Sequence, residues 1–379
     1  MDLGLGEEQK ILRTSARDFL ERECPKSLVR EMEEDERGYT PELWRKMADV
    51  GWLGLIFPEQ YGGSGGNFLD LTVLVEEMGR ACLPGPFFPT VILCGLPILA
   101  VGTEEQKREL LPKIARGEKI LTMALTEAAA TFEAQTIKTR AISDKDEYVI
   151  NGMKLFVPDA HIADNLLCVA RTKEGLTPQD GISILLTNGT NSGVKCTLLK
   201  TMAADKQCEV LFDNARVSKK DILGEVDQAW PVVERVLQQA TVAKCVELLG
   251  NMQQVLEMAV AYAKERVQFD RPIGSFQVIQ HYCANMAINV DASRLITYKA
   301  AWKIEEGIAA TRETSMAKAW VSDASYQVTA VGHEIFGGIG FTKDHDMQLY
   351  FRRAAAGQLN FGEADFHRRI VAHQIGVGH

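Results

Sequence analysis

The chain has 379 residues, of which 46% are hydrophobic and 25% charged, and its formal net charge is −9. This length and apolar content support two or three domains, or one large α-rich body, and exclude global disorder. The acidic balance and the lack of any basic block argue against nucleic-acid binding.

Residues Met1 to Lys10 lack the basic and apolar regions of a secretory signal, and no apolar run is long enough to span a bilayer, so a cytoplasmic location is expected. The cysteines at 24, 82, 94, 168, 196, 208, 245 and 283 form no CxxC pair. Reduced thiols in apolar surroundings are expected, with no metal site.

In chain order, residues 7–118 predict helices. Glu7 to Glu34 is amphipathic, with Ile11, Leu12, Ala16, Phe19 and Leu20 on one side. Leu69 to Arg80 and Glu104 to Ala115 repeat the pattern, and Thr103 with Gln106 forms an N-cap close to a capping box. The run Gly62, Gly63, Ser64, Gly65 and Gly66 is a loop. Residues 120–225 change character. Ile120–Leu125, Tyr148–Ile150, Leu166–Ala170, Ile182–Leu186 and Val210–Phe212 are short apolar or alternating runs, which predict an antiparallel β domain. Long helices return at roughly 229–266, 275–306, 311–335, 344–356 and 366–374. The turn Gly337, Gly338, Ile339, Gly340 follows a helix rather than a strand, so it is not a dinucleotide fingerprint.

Several motifs run through this α–β–α order: Gly51 to Leu55 with Pro58 to Gly63; Gly102 to Lys107 with Leu111 and Pro112; Leu125, Thr126 and Glu127; Ile150 to Lys154; Val210 to Asn214 with Leu223 and Gly224; Arg266 to Phe269 with Ile273, Gly274, Phe276 and Gln277; and Gly337 to Phe341. Together they resemble the acyl-CoA dehydrogenase family over essentially the whole chain. The resemblance implies an α+β fold: an N-terminal helical domain at 1–118, a central antiparallel β domain at 119–226 and a C-terminal four-helix bundle at 227–379. It also implies FAD, an acyl-CoA substrate, an electron-transferring flavoprotein as partner, and a homotetramer or heterotetramer.

By that resemblance, Arg266 grips the FAD diphosphate of a neighbouring protomer, a role that suits its planar fork. The alternative is a helix-end ion pair with Glu265 or Asp270. Phe269 and Gln277 flank the adenosine side, or are ordinary interior residues. Gly337, Gly338 and Gly340 let backbone approach the dinucleotide, a role compatible with a helix C-cap. Thr126 bonds the flavin ring beside Phe156, or the two form a β-domain core pair. Three departures stand out. The family's Pro-Gly-Ala-Gly-Ser is Ala128 to Phe132 here, its Trp-Ile-Thr is Phe156 to Pro158, and Glu334 puts an acid before the double glycine near the expected diphosphate.

The family's reaction removes an α-proton with a carboxylate base and a β-hydride with the flavin. Where most members carry a catalytic Glu, this chain has Phe361, and the alternative position on the helix before Arg266 falls near Ala240. Glu247 is the first candidate base. It lies on a stripe of Ala240, Ala243, Gly250, Asn251 and Gln254, small enough to leave ligand space, or else it pairs with Lys244. Glu363 is the second candidate, or caps the helix that follows. His367 partners one of these acids or is an exposed helix histidine. Arg352, Arg353 and Arg368 pair with Asp344, Asp346 or Asp365. The expected activity is dehydrogenation of a cyclic, branched or ring-bearing acyl-CoA; the alternative is a catalytically deficient companion subunit of a hetero-oligomer.

Overall fold

The structure is a computed structural model that describes residues 4–377. In chain order the first helices are α1 (Glu7–Glu23), α2 (Lys26–Glu34), α3 (Pro41–Asp49), α4 (Phe68–Ala81), α5 (Leu96–Val101) and α6 (Glu104–Ala115). Strands follow: β1 (Leu121–Ala124), β2 (Arg140–Asp144), β3 (Glu147–Pro158), β4 (Asn165–Arg171), β5 (Ile182–Asn188), β6 (Val194–Leu199), β7 (Gln207–Ser218) and β8 (Ile222–Leu223). The last stretch holds α7 (Trp230–Glu265), the hairpin β9 (Val267–Gln268) and β10 (Arg271–Pro272), then α8 (Gln277–Glu305), α9 (Thr311–Phe336), α10 (Met347–Leu359) and α11 (Ala364–Gln374). The chain divides into two compact units, one made of residues 4–29, 67–83 and 241–377, the other of 30–66 and 84–240.

The single helix expected over Glu7 to Glu34 is two helices. Pro25 has no N–H to donate and its ring collides with the preceding turn, so α1 stops at Glu23 and α2 restarts at Lys26. The expected box on α6 is formed. Thr103 Oγ1 accepts from the Gln106 N–H (3.2 Å), and the Thr103 N–H donates to Gln106 Oε1 (3.0 Å).

In the second unit, strands pair in the order β6-β7-β3-β2-β4-β5-β8, and β1 joins β4. The ladder is mostly antiparallel, as the alternating runs imply. β4 carries the parallel pairings: β1 lies parallel to it with Leu121 opposite Asn165 and Ala124 opposite Cys168, and β2 meets it in parallel where Arg140 faces Arg171. β1 and β4 are apolar and buried almost throughout, the pattern of central strands rather than half-exposed ones. Leu166 of β4 packs with Ile150, Val210, Phe212 and Ala215 in the β core.

The first unit is a bundle in which α4 and α7 cross at backbone contact. A Cβ on Gly79 would collide with the Glu247 carbonyl, and one on Gly250 would collide with the Glu76 carbonyl. Such an approach is open only to glycine. Around the crossing, Glu76 accepts from Arg294 (2.5 Å) and from the Tyr298 hydroxyl (2.7 Å), while Arg17 forks onto Glu77 (2.7 and 2.9 Å). The stripe on α7 is therefore occupied by protein. Gly250 serves the crossing, Asn251 is buried and donates to the Tyr350 carbonyl (3.1 Å), and Ala243 is buried. That corrects the expectation of ligand space at Ala243, Gly250 and Asn251, while the Glu247 side chain beside them stays partly open. Gly250→Val forces the two backbones apart and is expected to lower the unfolding free energy by about 2–3 kcal/mol, measured by urea denaturation.

Candidate active site

In the second unit, Thr126 lies on the segment after β1, which a buried ion pair holds in place. Lys154, fully enclosed, donates to Glu127 Oε1 (2.8 Å) and to the Leu125 carbonyl (3.0 Å). Glu127 also accepts from the backbone N–H groups of Lys138 (2.8 Å) and Thr139 (3.0 Å). Burial pushes the Glu127 carboxyl up, but the Lys154 charge and these hydrogen bonds outweigh it and leave it below the usual range. The Leu155 N–H then donates to the Thr126 carbonyl (2.8 Å), joining this segment to β3.

The pairing of β3 with β7 breaks between Lys154 and Val157, and Phe156 fills the bulge in a left-handed conformation (φ 54°). Its ring is 52% exposed, so Phe156 is not half of a core pair. In the altered segment 128–132, the Thr131 hydroxyl is enclosed and has no hydrogen-bond partner among the described residues.

In the first unit, β9 and β10 form a two-residue hairpin with Phe269 (φ 52°) and Asp270 (φ 63°) at its apex. Phe269 is 86% exposed, which rules out interior packing. It meets Phe276 edge-on (6.0 Å), and the Arg271 guanidinium lies over the Phe276 ring (4.1 Å). Arg266 is exposed, and its side chain makes no hydrogen bond or ion pair among the described residues; the pairs with Glu265 or Asp270 do not form. Gln277, also exposed, opens the 29-residue α8, so the positive end of that helix lies beside it.

At the end of α9, Gly337 has φ 63° and ψ −145°, a region only glycine occupies readily. A Cβ on Gly337 or Gly338 would meet no protein atom within 4 Å. At Gly338 the chain's own packing gives no reason for the missing side chain. Gly340 packs against Phe336 and His333. Glu334 is exposed on the last turn of α9.

The candidate bases differ in setting. Glu247 is 29% exposed and accepts from the Lys244 ammonium (2.7 Å), the pairing that the i,i+3 spacing allows. Glu363 is exposed at the N-cap of α11, and its side chain makes no capping bond. Arg368 pairs with Asp365 (2.6 Å), as expected, and also with Asp323. His367 departs from both expectations. It is buried, Nε2 donates to the Phe361 carbonyl (2.9 Å), and Nδ1 faces the Ser315 hydroxyl (3.2 Å). Burial draws its pKa down to about 4, so the ring is neutral and serves as a backbone anchor rather than an acid's partner.

Sequence reasoning missed Ser315, Lys318 and Ser322, a polar stripe on α9 whose i, i+3, i+7 spacing was its only signal. Lys318 is wholly buried and donates to Ser322 Oγ (2.8 Å) and to the carbonyls of Gly357 (2.9 Å) and Gln358 (3.0 Å).

These residues fit a flavin dinucleotide. Within the first unit the open glycines, the Arg266 guanidinium and the α8 N-terminus each suit a diphosphate; within the second, the exposed Phe156 suits a ring system. Family models described as acyl-CoA dehydrogenase N-terminal, middle and C-terminal domains match residues 6–118, 122–215 and 227–376. The 3-(aryl)acrylate reductase of Clostridium sporogenes is 32% identical, over 97% of this chain and 98% of its own. The caffeyl-CoA reductase-Etf complex subunit CarC of Acetobacterium woodii is 30% identical, over 97% of each chain. The structure of butyryl-CoA dehydrogenase from Megasphaera elsdenii superposes with a TM-score of 0.92 at 29% identity, over 99% of this chain and 100% of that one.

Just beyond Phe156, Asp159 is buried in a left-handed conformation (φ 53°). Burial and the nearby Asp205 raise its pKa to about 7, against the opposing pull of Lys206. In the unfolded chain this carboxyl ionises near 3.8, so folding binds a proton, and the stability it supports below that value is lost as pH rises to about 7. Asp159→Asn keeps the shape and tolerates the backbone. It is expected to raise the unfolding free energy by roughly 2–4 kcal/mol at pH 8 and by nothing measurable at pH 3.5, read from denaturant midpoints across that range.

Proposed function

The chain belongs to the acyl-CoA dehydrogenase family of oxidoreductases acting on CH–CH donors, and from that premise we propose FAD-dependent α,β-dehydrogenation of an acyl-CoA thioester whose acyl group is cyclic, branched or ring-bearing, with electrons passed to an electron-transferring flavoprotein. The observation that carries the proposal is the unfilled space over Gly337 and Gly338 in a unit that also offers an unpaired Arg266. The relative from Acetobacterium woodii is a subunit of an Etf complex, which supports the electron partner. Phe361, in place of the usual acid, and the aryl substrate named for the Clostridium sporogenes relative support a ring-bearing acyl group.

In this reading Arg266 neutralises the diphosphate, across a protomer interface in a homotetramer or heterotetramer, with Phe269 and Gln277 on the adenosine side. Gly337, Gly338 and Gly340 let the backbone approach, Glu334 stays solvated at their edge, and Thr126 with Phe156 flanks the flavin ring. A flavin held by these residues would supply the hydride acceptor for the hydrogen leaving the β-carbon. Glu247 takes the α-proton: it is the more enclosed of the two candidate acids, and its single bond to Lys244 leaves carboxylate lone pairs free. Glu363, exposed to solvent, is the weaker base candidate.

A second reading, a companion subunit without a competent base, is favoured by one observation: Glu247 is ion-paired and no acid stands at Phe361. The two separate experimentally. Purified protein with near-stoichiometric flavin absorbance, and turnover of thioesters with an artificial electron acceptor, supports the enzyme; a colourless, inactive protein supports the companion. Glu247→Gln is expected to keep its flavin and lose about 10²–10⁴-fold in kcat, while Glu363→Gln loses little. Full turnover by Glu247→Gln transfers the role to Glu363. Arg266→Ala is expected to lose flavin on gel filtration, and unchanged flavin content removes Arg266 from the diphosphate site.

A further inference from the structure

The connection between α10 and α11 holds Phe361 in a left-handed backbone conformation (φ 58°), which a bulky side chain rarely adopts and which costs on the order of 1–2 kcal/mol. Such a conformation persists only where the surroundings over-determine it. Here they do so from both sides. Before the loop, the buried Lys318 ammonium fastens two carbonyls in the last turn of α10, those of Gly357 and Gln358, and the Gln358 amide returns a bond to the Ser322 carbonyl (3.0 Å). After the loop, the His367 ring fastens the Phe361 carbonyl itself. A carbonyl only accepts, so Nε2 carries the proton, and Nδ1 is left to accept from the Ser315 hydroxyl. Ser315, Lys318 and Ser322 occupy one face of α9, so a single rigid helix supports both ends of a four-residue loop.

Three features make this more than ordinary packing. Enclosing a lysine costs free energy unless its donors are satisfied, and Lys318 directs two of its three hydrogen bonds at the carbonyls leading into the loop. The buried histidine spends its one ring N–H on the carbonyl of the strained residue. And the strained residue is the one standing where the family's resemblance places the base.

We propose that His367 and Lys318 are positioning residues: with Ser315 and Ser322 they clamp the 360–363 loop to α9, hold Phe361 in its strained conformation, and so set the fit of the acyl group. This rests on the thioester reading above, but the clamp itself is testable without it.

The test compares wild type, His367→Leu, His367→Gln and Ser315→Ala by hydrogen exchange of the amides in 359–367 and by thioester kinetics, with flavin absorbance as the measure of intact protein. His367→Leu is expected to raise exchange in the loop by about tenfold and KM by about fivefold or more, with kcat changed less than about twofold. The Gln amide can donate to the Phe361 carbonyl, so His367→Gln is expected to recover both. Should His367→Leu fail to fold, Ser315→Ala removes only the support behind the ring and is expected to act in the same direction, at about threefold. Unchanged loop exchange in Ser315→Ala and His367→Leu overturns the clamp. Raised exchange with unaltered KM overturns its role in acyl fit, as does a Gln variant no better than Leu. If the wild type turns over no thioester, the functional reading falls, and the exchange data alone uphold or overturn the clamp.

Discussion

The bundle unit depends on one approach of two backbones. α4 and α7 touch where Gly79 meets the Glu247 carbonyl and Gly250 meets the Glu76 carbonyl. At that distance no side chain fits between the helices, so the flanking polar groups are pushed into fixed places. Glu76 is gripped by Arg294 and Tyr298, Glu77 by Arg17, and Glu257 by Arg80 (2.5 Å). The same contact sets the height and rotation of α7, and with them the place of Glu247. Whatever chemistry Glu247 performs, its position is decided by two glycines.

A second theme is the use of buried cations on backbone rather than on ligand. Lys154 and Lys318 are both wholly enclosed, and each donates to main-chain carbonyls at a point where regular structure gives way to a connecting segment. A lysine in such a place carries a large desolvation cost, which multiple well-directed hydrogen bonds offset. The two solutions differ. Lys154 has a full carboxylate partner in Glu127, whereas Lys318 has only a hydroxyl and carbonyls, and burial lowers its pKa to about 8. Both trade solvation for a segment with one geometry.

The long C-terminal helices, the capping box at Thr103 and the β runs were legible because each rests on local pattern: period 3.6, period 2, or a side chain reaching three residues on. The break at Pro25 was just as local and was passed over because the apolar stripe continues across it. The pairing of β1 with β4 was not legible, since a fully buried strand carries no alternation to show its partner. Arg266 and Phe269, both exposed in the structure, and the double glycine could be singled out as candidates from motif order. His367 could not, because nothing in the residues near it in sequence tells that a Ser on another helix and a strained carbonyl will enclose it. The stripe on α7 was misread for a related reason: small residues look alike whether they make room for a ligand or for another helix.

All eight cysteines are free, and their distribution has a practical side. Cys24, Cys82 and Cys245 are buried in one unit, and Cys94, Cys168 and Cys208 in the other, while the half-buried Cys283 and Cys196 fall one to each. Burial lifts the thiols of Cys24 and Cys208 to about 11 and those of Cys168 and Cys245 to about 12, so the folded chain keeps them inert toward alkylating reagents. The molecule thus contains two matched sets of shielded sulfur atoms, one per unit. Mass-resolved labelling over time would clock the opening of each half separately, with no engineered probe.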